Sequence, residues 1–344
     1  MKQKYKIIAF VIATTSGVKS GKLVNVKTRH SAPQYHPLSL PKQQVISEEH
    51  HAVHSQDICF LVKIYSTDAV IVEGTAEVAD IFSPDAFRLR EAMIDTCHAI
   101  LKKYGGQRDL SEEYSIAVVS GYTGDPEQFF DKADRIASFL KSEMMLLDEE
   151  EVHYTLSKPL KYAKEDLVIV DWDGAFIFDP DGDVEPMIYL FQAANFQLLK
   201  YRIIDRDLDN RLELATKKIK EPSKRTFTFR HRELALAFRE VIKFRVQSIS
   251  EFNLLNREVK LVGDWYSARL YEAISKKFRL EEWRQIIKDK LESFEDIYTI
   301  ISENFSISRY QRLELVQIGF FFVLQVGWFI LILLEFRVLS AGLH

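Results

Sequence analysis

The hydrophobic pattern changes period near the middle of the chain. Up to about residue 183, apolar runs of strand length alternate with amphipathic stretches of helical length. Beyond it, apolar residues recur at three- and four-residue spacing, and the last long segment is apolar on every side. In the first half, Ile7–Ala13 reads as a strand. Lys2, Lys4 and Lys6 precede it as in an export signal, but the run is short and no small-x-small cleavage site follows, which favours the strand. Residues 24–57 are polar, carry Pro33, Pro37 and Pro41, and predict a loop excursion. Ile58–Tyr65 predicts a second strand, which Ala69–Val72 extends or pairs with. Ser83 and Pro84 are the N-cap and first residue of a helix to Tyr104, stopped by Gly105 and Gly106. A strand over Tyr114–Ser120, a helix from Asp125-Pro126 to about Leu147 and a strand over Val152–Leu156 follow. In Leu167–Asp179 two apolar runs flank Asp173-Gly174, a hairpin signal.

The second half predicts helices. Met187, Leu190, Phe191, Ala194, Leu198, Tyr201 and Ile204 mark one that Glu221-Pro222-Ser223 breaks. A second spans Arg230 to Val262 and is interrupted at Gly263-Asp264. Trp265–Lys277 and Leu280 to about Asn304 follow, with a short link into the last apolar segment. The predicted class is α+β. An N-terminal, mainly antiparallel sheet with helices (1–183) precedes a long antiparallel helical hairpin or coiled-coil bundle (184–310), a transmembrane helix (315–334) and a short tail (335–344).

Leu315–Leu334 holds twenty residues without a charge. At about 1.5 Å per residue it spans about 30 Å, the thickness of a hydrocarbon core. Gln317 and Gln325 lie two turns apart, and Gly319 and Gly327 follow each by two. These four fit either a face for helix–helix contact, with self-association through helices, or two amides tolerated in a single anchor. So late an anchor predicts a tail-anchored, single-pass protein with its N-terminal bulk in the cytoplasm, or on the matrix side in an organelle. The lipid bilayer is then the first partner.

Composition adds few constraints. An apolar share of 47% supports a real core, and a net charge of −4 gives no overall pull toward nucleic acid or acidic lipid. Cys59 and Cys97 stand in no metal or redox motif and read as reduced thiols.

Four groups of residues could carry chemistry. Asp171-Trp172-Asp173-Gly174 after an apolar strand resembles the first motif of haloacid-dehalogenase-type phosphatases, in which one Asp attacks phosphorus, the next moves a proton and Mg²⁺ joins them. Here a return strand follows instead of a loop and helix, which favours a structural hairpin over a membrane-bound Mg-dependent phosphohydrolase. Asp179, Asp181 and Asp183 suggest Ca²⁺, but Val184 stands where an EF-hand loop needs Gly, so an acidic turn is favoured. His50, His51 and His54, beside Glu48, Glu49 and Asp57, could approach a zinc set but lie in the expected loop. Lys224, Arg225, Arg230, Arg232, Arg239, Lys243 and Arg245 form a basic stretch interleaved with aromatics. It fits an anionic partner, either RNA (a ribosome included) or lipid headgroups, or else a solvated charged face. No catalytic, cofactor or metal residue is assigned, and the chain is expected to be no enzyme.

Residues Val262–Val316 resemble the "required for meiotic nuclear division" family. The likeness rests on Tyr271, Trp283, Lys290-Leu291, Tyr298 and Arg312-Leu313-Glu314, and extends over about residues 165–336. It implies a non-catalytic, membrane-tethered scaffold or adaptor for a protein or ribonucleoprotein partner. Eukaryotic members sit at the mitochondrial inner membrane and support organellar translation, and the family has no catalytic residues to carry over.

Overall fold

The structure is a computed structural model. It describes residues 3–15, 22–23, 43–66, 69–220 and 265–341, together with helical positions 239, 242–243, 246 and 249–250. The expected helix Arg230–Val262 and the break at Glu221-Pro222-Ser223 therefore lie, but for those few positions, outside the described residues.

Two compact units are present: residues 1–208 with 248–288, and residues 209–247 with 289–344. The sheet-bearing unit thus runs past the expected boundary at 183. Its strands are β1 (Lys4–Thr14), β2 (Lys22–Leu23), β3 (Gln44–Val53), β4 (Gln56–Ser66), β5 (Ala69–Val78), β6 (Ser111–Ser120), β7 (Leu167–Val170) and β8 (Gly174–Phe178). They form one sheet in the order β2-β3-β4-β5-β1-β6-β8-β7. Every neighbouring pair is antiparallel except β6 and β8, which run parallel with Ser115 opposite Gly174. The class is α+β with a mainly antiparallel sheet, as the pattern predicts.

Helices cover both faces of that sheet. On one lie α1 (Pro84–Lys103), α2 (Ala133–Lys141) and α3 (Glu149–Leu156), around a core with Ile7, Val11, Phe60, Val72, Met93, Ile100, Phe139, Phe176 and Phe178. On the other lie the start of α4 (Glu185–Lys220) and α5 (Trp265–Lys277). There Tyr114 of β6 stacks on Phe191 of α4 at 5.3 Å and meets Phe278, just after α5, edge-on at 5.6 Å. Two covered faces explain why Ile7–Ala13 is apolar at every position and not at alternate ones: all seven are buried.

Four elements depart from the pattern. Residues 44–57 belong to the β3–β4 hairpin and not to a loop. Its turn places His54 at φ 45° and Ser55 at φ 67°, the positive values of a type I′ turn, without the Asn or Gly that usually marks one. The helix expected to reach Leu147 stops at Lys141, where Ser142 takes a left-handed cap at φ 57°. Its first turns, Pro126–Lys132, are 3-10 helix. Val152–Leu156 lies in helix α3, not in a strand. The Asp148 carboxylate accepts the Glu150 N–H at 2.9 Å, and Glu149–Glu151 crowd the positive end of the helix dipole. Finally, α6 runs unbroken from Leu280 to Ala341, 62 residues, with no link before the apolar segment. Neither Gly nor Pro occurs between Leu280 and Ile318 to break it.

In the second unit, Lys290 of α6 pairs with Asp209 of α4 at 2.6 Å.

Candidate functional site: the membrane span and the Asp171 turn

Within α6, Leu313–Leu334 is a 22-residue apolar stretch of which none is buried. Sixteen of these residues are Leu, Ile, Val or Phe. Each contributes roughly −0.3 to −0.6 kcal/mol near the middle of a bilayer. Their sum is at most about −5 to −10 kcal/mol, whereas one central charge costs about 3 kcal/mol. The stretch is long and apolar enough to cross a membrane. In water the same side chains would form a continuous exposed apolar surface.

Helical geometry spreads the expected four residues round the helix. At about 100° per residue, Gln317 and Gln325 sit within about 80° of each other. Gly319 and Gly327 each lie about 200° from the glutamine before them. The midpoint of the glycine pair therefore lies opposite the midpoint of the amide pair, although Gly327 comes within about 80° of Gln317. A Cβ added at either glycine would meet nothing within 4 Å.

The second constellation centres on the β7–β8 turn. Its two-residue loop is Trp172-Asp173, closed by the Asp171 N–H donating to the Gly174 carbonyl at 2.9 Å. Gly174 has no positive φ. What demands glycine there is space: a Cβ would stand 3.1 Å from the Ser115 carbonyl oxygen and 3.4 Å from that of Phe139. Asp171 is 7% exposed. One carboxylate oxygen accepts the Trp172 N–H at 2.8 Å and lies 3.3 Å from Lys277 Nζ of α5. The other makes no hydrogen bond and lies 3.6 Å from Lys141 Nζ of α2. Lys141 also pairs with Glu151 of α3 at 2.6 Å. Burial disfavours its charged form, yet Glu151 and Asp171 outweigh that and raise its pKa. Asp171 thus ties a helix on one face of the sheet to a helix on the other.

Backbone oxygens of the turn are held too. Tyr114 Oη donates to the Asp171 carbonyl at 3.0 Å, and Arg90 and Ser115 reach the Asp173 carbonyl at 3.4 Å. Arg90 is buried, donates to the Phe139 carbonyl at 3.0 Å and lies over that ring at 4.8 Å. Burial lowers its pKa to about 10. Burial also raises the Asp173 carboxyl, against the opposing pull of Arg90. The chain then returns as an antiparallel strand, which matches the hairpin and departs from the phosphatase motif.

The remaining candidates separate. Asp179 is buried and its carboxylate accepts the N–H groups of Asp181 and Gly182 at 3.0 and 2.9 Å, an acidic turn with Gly182 at φ 71°. His50 pairs with Asp57 at 3.2 Å, and His51 with Glu49 at 3.1 Å. Adjacent strand residues face opposite sides. Among the described residues no group of three potential metal ligands forms. Of the basic stretch, Arg239 and Lys243 are described; both are helical and exposed. Lys224, Arg225, Arg230, Arg232 and Arg245 lie outside the described residues. Arg90, Lys141, Lys277 and Tyr114 are absent from the sequence-level candidates. Only Arg90 leaves a trace there, as a charge within the buried stripe Phe87, Met93, Cys97 of α1.

The family model described as "Uncharacterized protein MJ0711, N-terminal domain" matches residues 13–184, half of the chain. The chain belongs to this family. The stretch shared with the MJ0711 N-terminal-domain family runs from the end of β1 through the Asp171 turn to the residue before α4. A relative, "Uncharacterized protein MJ0711" of Methanocaldococcus jannaschii, is 28% identical over 244 residues, 71% of this chain and 73% of that one. No solved structure matches. The family and the relative carry no link to the "required for meiotic nuclear division" family, whose expected span, about residues 165–336, meets the MJ0711 stretch only at 165–184. On that later segment, Tyr271 is buried and donates to Gln197, whose amide donates to Tyr201 at 2.7 Å. These are core contacts.

Proposed function

We propose that the chain is a non-catalytic scaffold or adaptor, fixed to a bilayer by Leu313–Leu334, that presents its α+β unit to a protein or ribonucleoprotein partner. The exposed 22-residue apolar stretch carries this reading. The Asp171 turn supports it, because the most enzyme-like motif in the sequence is occupied by ion pairs that bind structural layers together. The bulk of the protein stands on the cytoplasmic side, or the matrix side of an organelle. The exposed pair Arg239 and Lys243, one helical turn apart, belongs to the surface that meets an anionic partner.

The test is cross-linking in intact membranes, followed by purification in detergent. A partner in fixed proportion is expected with the wild type, and its yield should fall in the double variant Arg239→Glu, Lys243→Glu and with rising salt. Recovery of the chain with no partner, or a partner indifferent to both changes, contradicts the reading.

A further inference from the structure

We infer that the membrane-spanning helix binds a second copy of itself through the side that carries Gln317 and Gln325. This rests on the anchor reading above. Gln325 is the thirteenth of the 22 apolar-segment residues, about 18 Å from Leu313. That is the middle of the hydrocarbon core, too deep for the amide to reach headgroups. Lipid tails offer it neither donor nor acceptor. Gln317 stands about 12 Å nearer one surface on the same side of the helix. Phe321 lies between them, and Trp328, whose indole N–H is a further donor, follows within the same arc. All four side chains are exposed.

The choice of occupant follows from symmetry. Two copies inserted in the same direction bring like residues to the same depth. A glutamine amide is both donor and acceptor, so each can satisfy its own image across a two-fold axis. Two amides about 12 Å apart give two such levels. That spacing suits one parallel register and disfavours a slipped one, which would return the central amide to lipid. The glycine side offers close approach but leaves both amides unsatisfied.

Site-directed cross-linking in membranes tests this without relying on contacts of the soluble units. In a Cys59→Ser background, Phe321→Cys marks the amide side and Val323→Cys, about 200° round the helix, marks the glycine side. The buried Cys97 stays in place. Mild oxidation should give a covalent dimer for Phe321→Cys and little for Val323→Cys. Adding Gln317→Leu and Gln325→Leu should reduce the dimer about tenfold, and Gln325→Asn in place of Leu should largely retain it. Equal cross-linking on both sides, cross-linking stronger at Val323→Cys, or a dimer unchanged by the leucines overturns the inference. So does absence of any dimer while the chain stays in the carbonate-washed pellet. Loss of the chain from that pellet instead refutes the anchor itself.

Discussion

Asp171→Ala is expected to destabilise the sheet-bearing unit by roughly 2–3 kcal/mol. Breaking a buried ion pair by removing one partner costs about 3–5 kcal/mol when the survivor is left dry. Here the side chains of Lys141 and Lys277 are 25% and 28% exposed, so each can turn toward water, and Lys141 keeps Glu151. That lowers the ion-pair loss to roughly 1–2 kcal/mol. The hydrogen bond to the Trp172 N–H adds about 1 kcal/mol. Asp171→Asn can keep that bond and lose only the charge, so about half the effect is expected. Urea denaturation of the detergent-solubilised full chain, followed by tryptophan fluorescence, gives the difference, since Trp172 sits in the turn. Hydrogen exchange should show faster opening at the amides of the turn and at the end of α5. A change below about 0.5 kcal/mol for the alanine variant, the scatter of ordinary surface substitutions, would refute the view that this carboxylate clamps two layers.

Other consequences can be checked in the same preparation. Gly174→Ala should cost about 1–3 kcal/mol, as expected of overpacking, because the new methyl presses on backbone oxygens of Ser115 and Phe139; a neutral result would show that β6 and β8 can part without cost. Glu113 is held below the ordinary carboxylate range by its hydrogen bond from His98, with burial opposing. Its stabilisation should therefore be present above the unfolded-state pKa, near pH 4, and vanish as pH falls through the lower folded value. Glu112 is shifted the other way by burial, which outweighs Arg202. Its contribution is fullest when protonated and is lost as pH rises through its raised folded pKa. Glu112→Gln should thus gain on the wild type from about pH 4 upward, and parallel stability–pH curves for the two proteins would contradict that assignment.

Local signals proved legible where one cause dominates. The Ser83-Pro84 start of α1 is such a case: the Ser83 hydroxyl accepts the Ala86 N–H at 3.3 Å. The β7–β8 hairpin and the apolar stretch of α6 are others. Strand β3 was hidden because its residues are polar and its turn uses His54-Ser55, so neither alternation nor a turn dipeptide announced it. Helix α3 was hidden because the five residues Val152–Leu156 fit a strand, while the cap and acidic first turn that decide the matter precede them. The Asp171 clamp joins residues 30 and 106 positions away in sequence; no local pattern encodes such a meeting, which depends on where the sheet brings its two helical layers. The hairpin itself was visible, but Gly174 serves close packing against Ser115 and Phe139, not turn geometry. The opposition of the midpoint of the glutamine pair to that of the glycine pair follows from the helix, because a two-residue step turns the chain about 200°.

The proposed anchor requires lipid to be the solvent for Leu313–Leu334. Alkaline carbonate extraction of cell membranes tests it, comparing the full chain with a version that ends at Arg312. The full chain is expected in the pellet and the shortened one in the supernatant. A full chain released by carbonate, or a shortened chain that stays in the pellet alongside it, would show that Leu313–Leu334 is not the anchor.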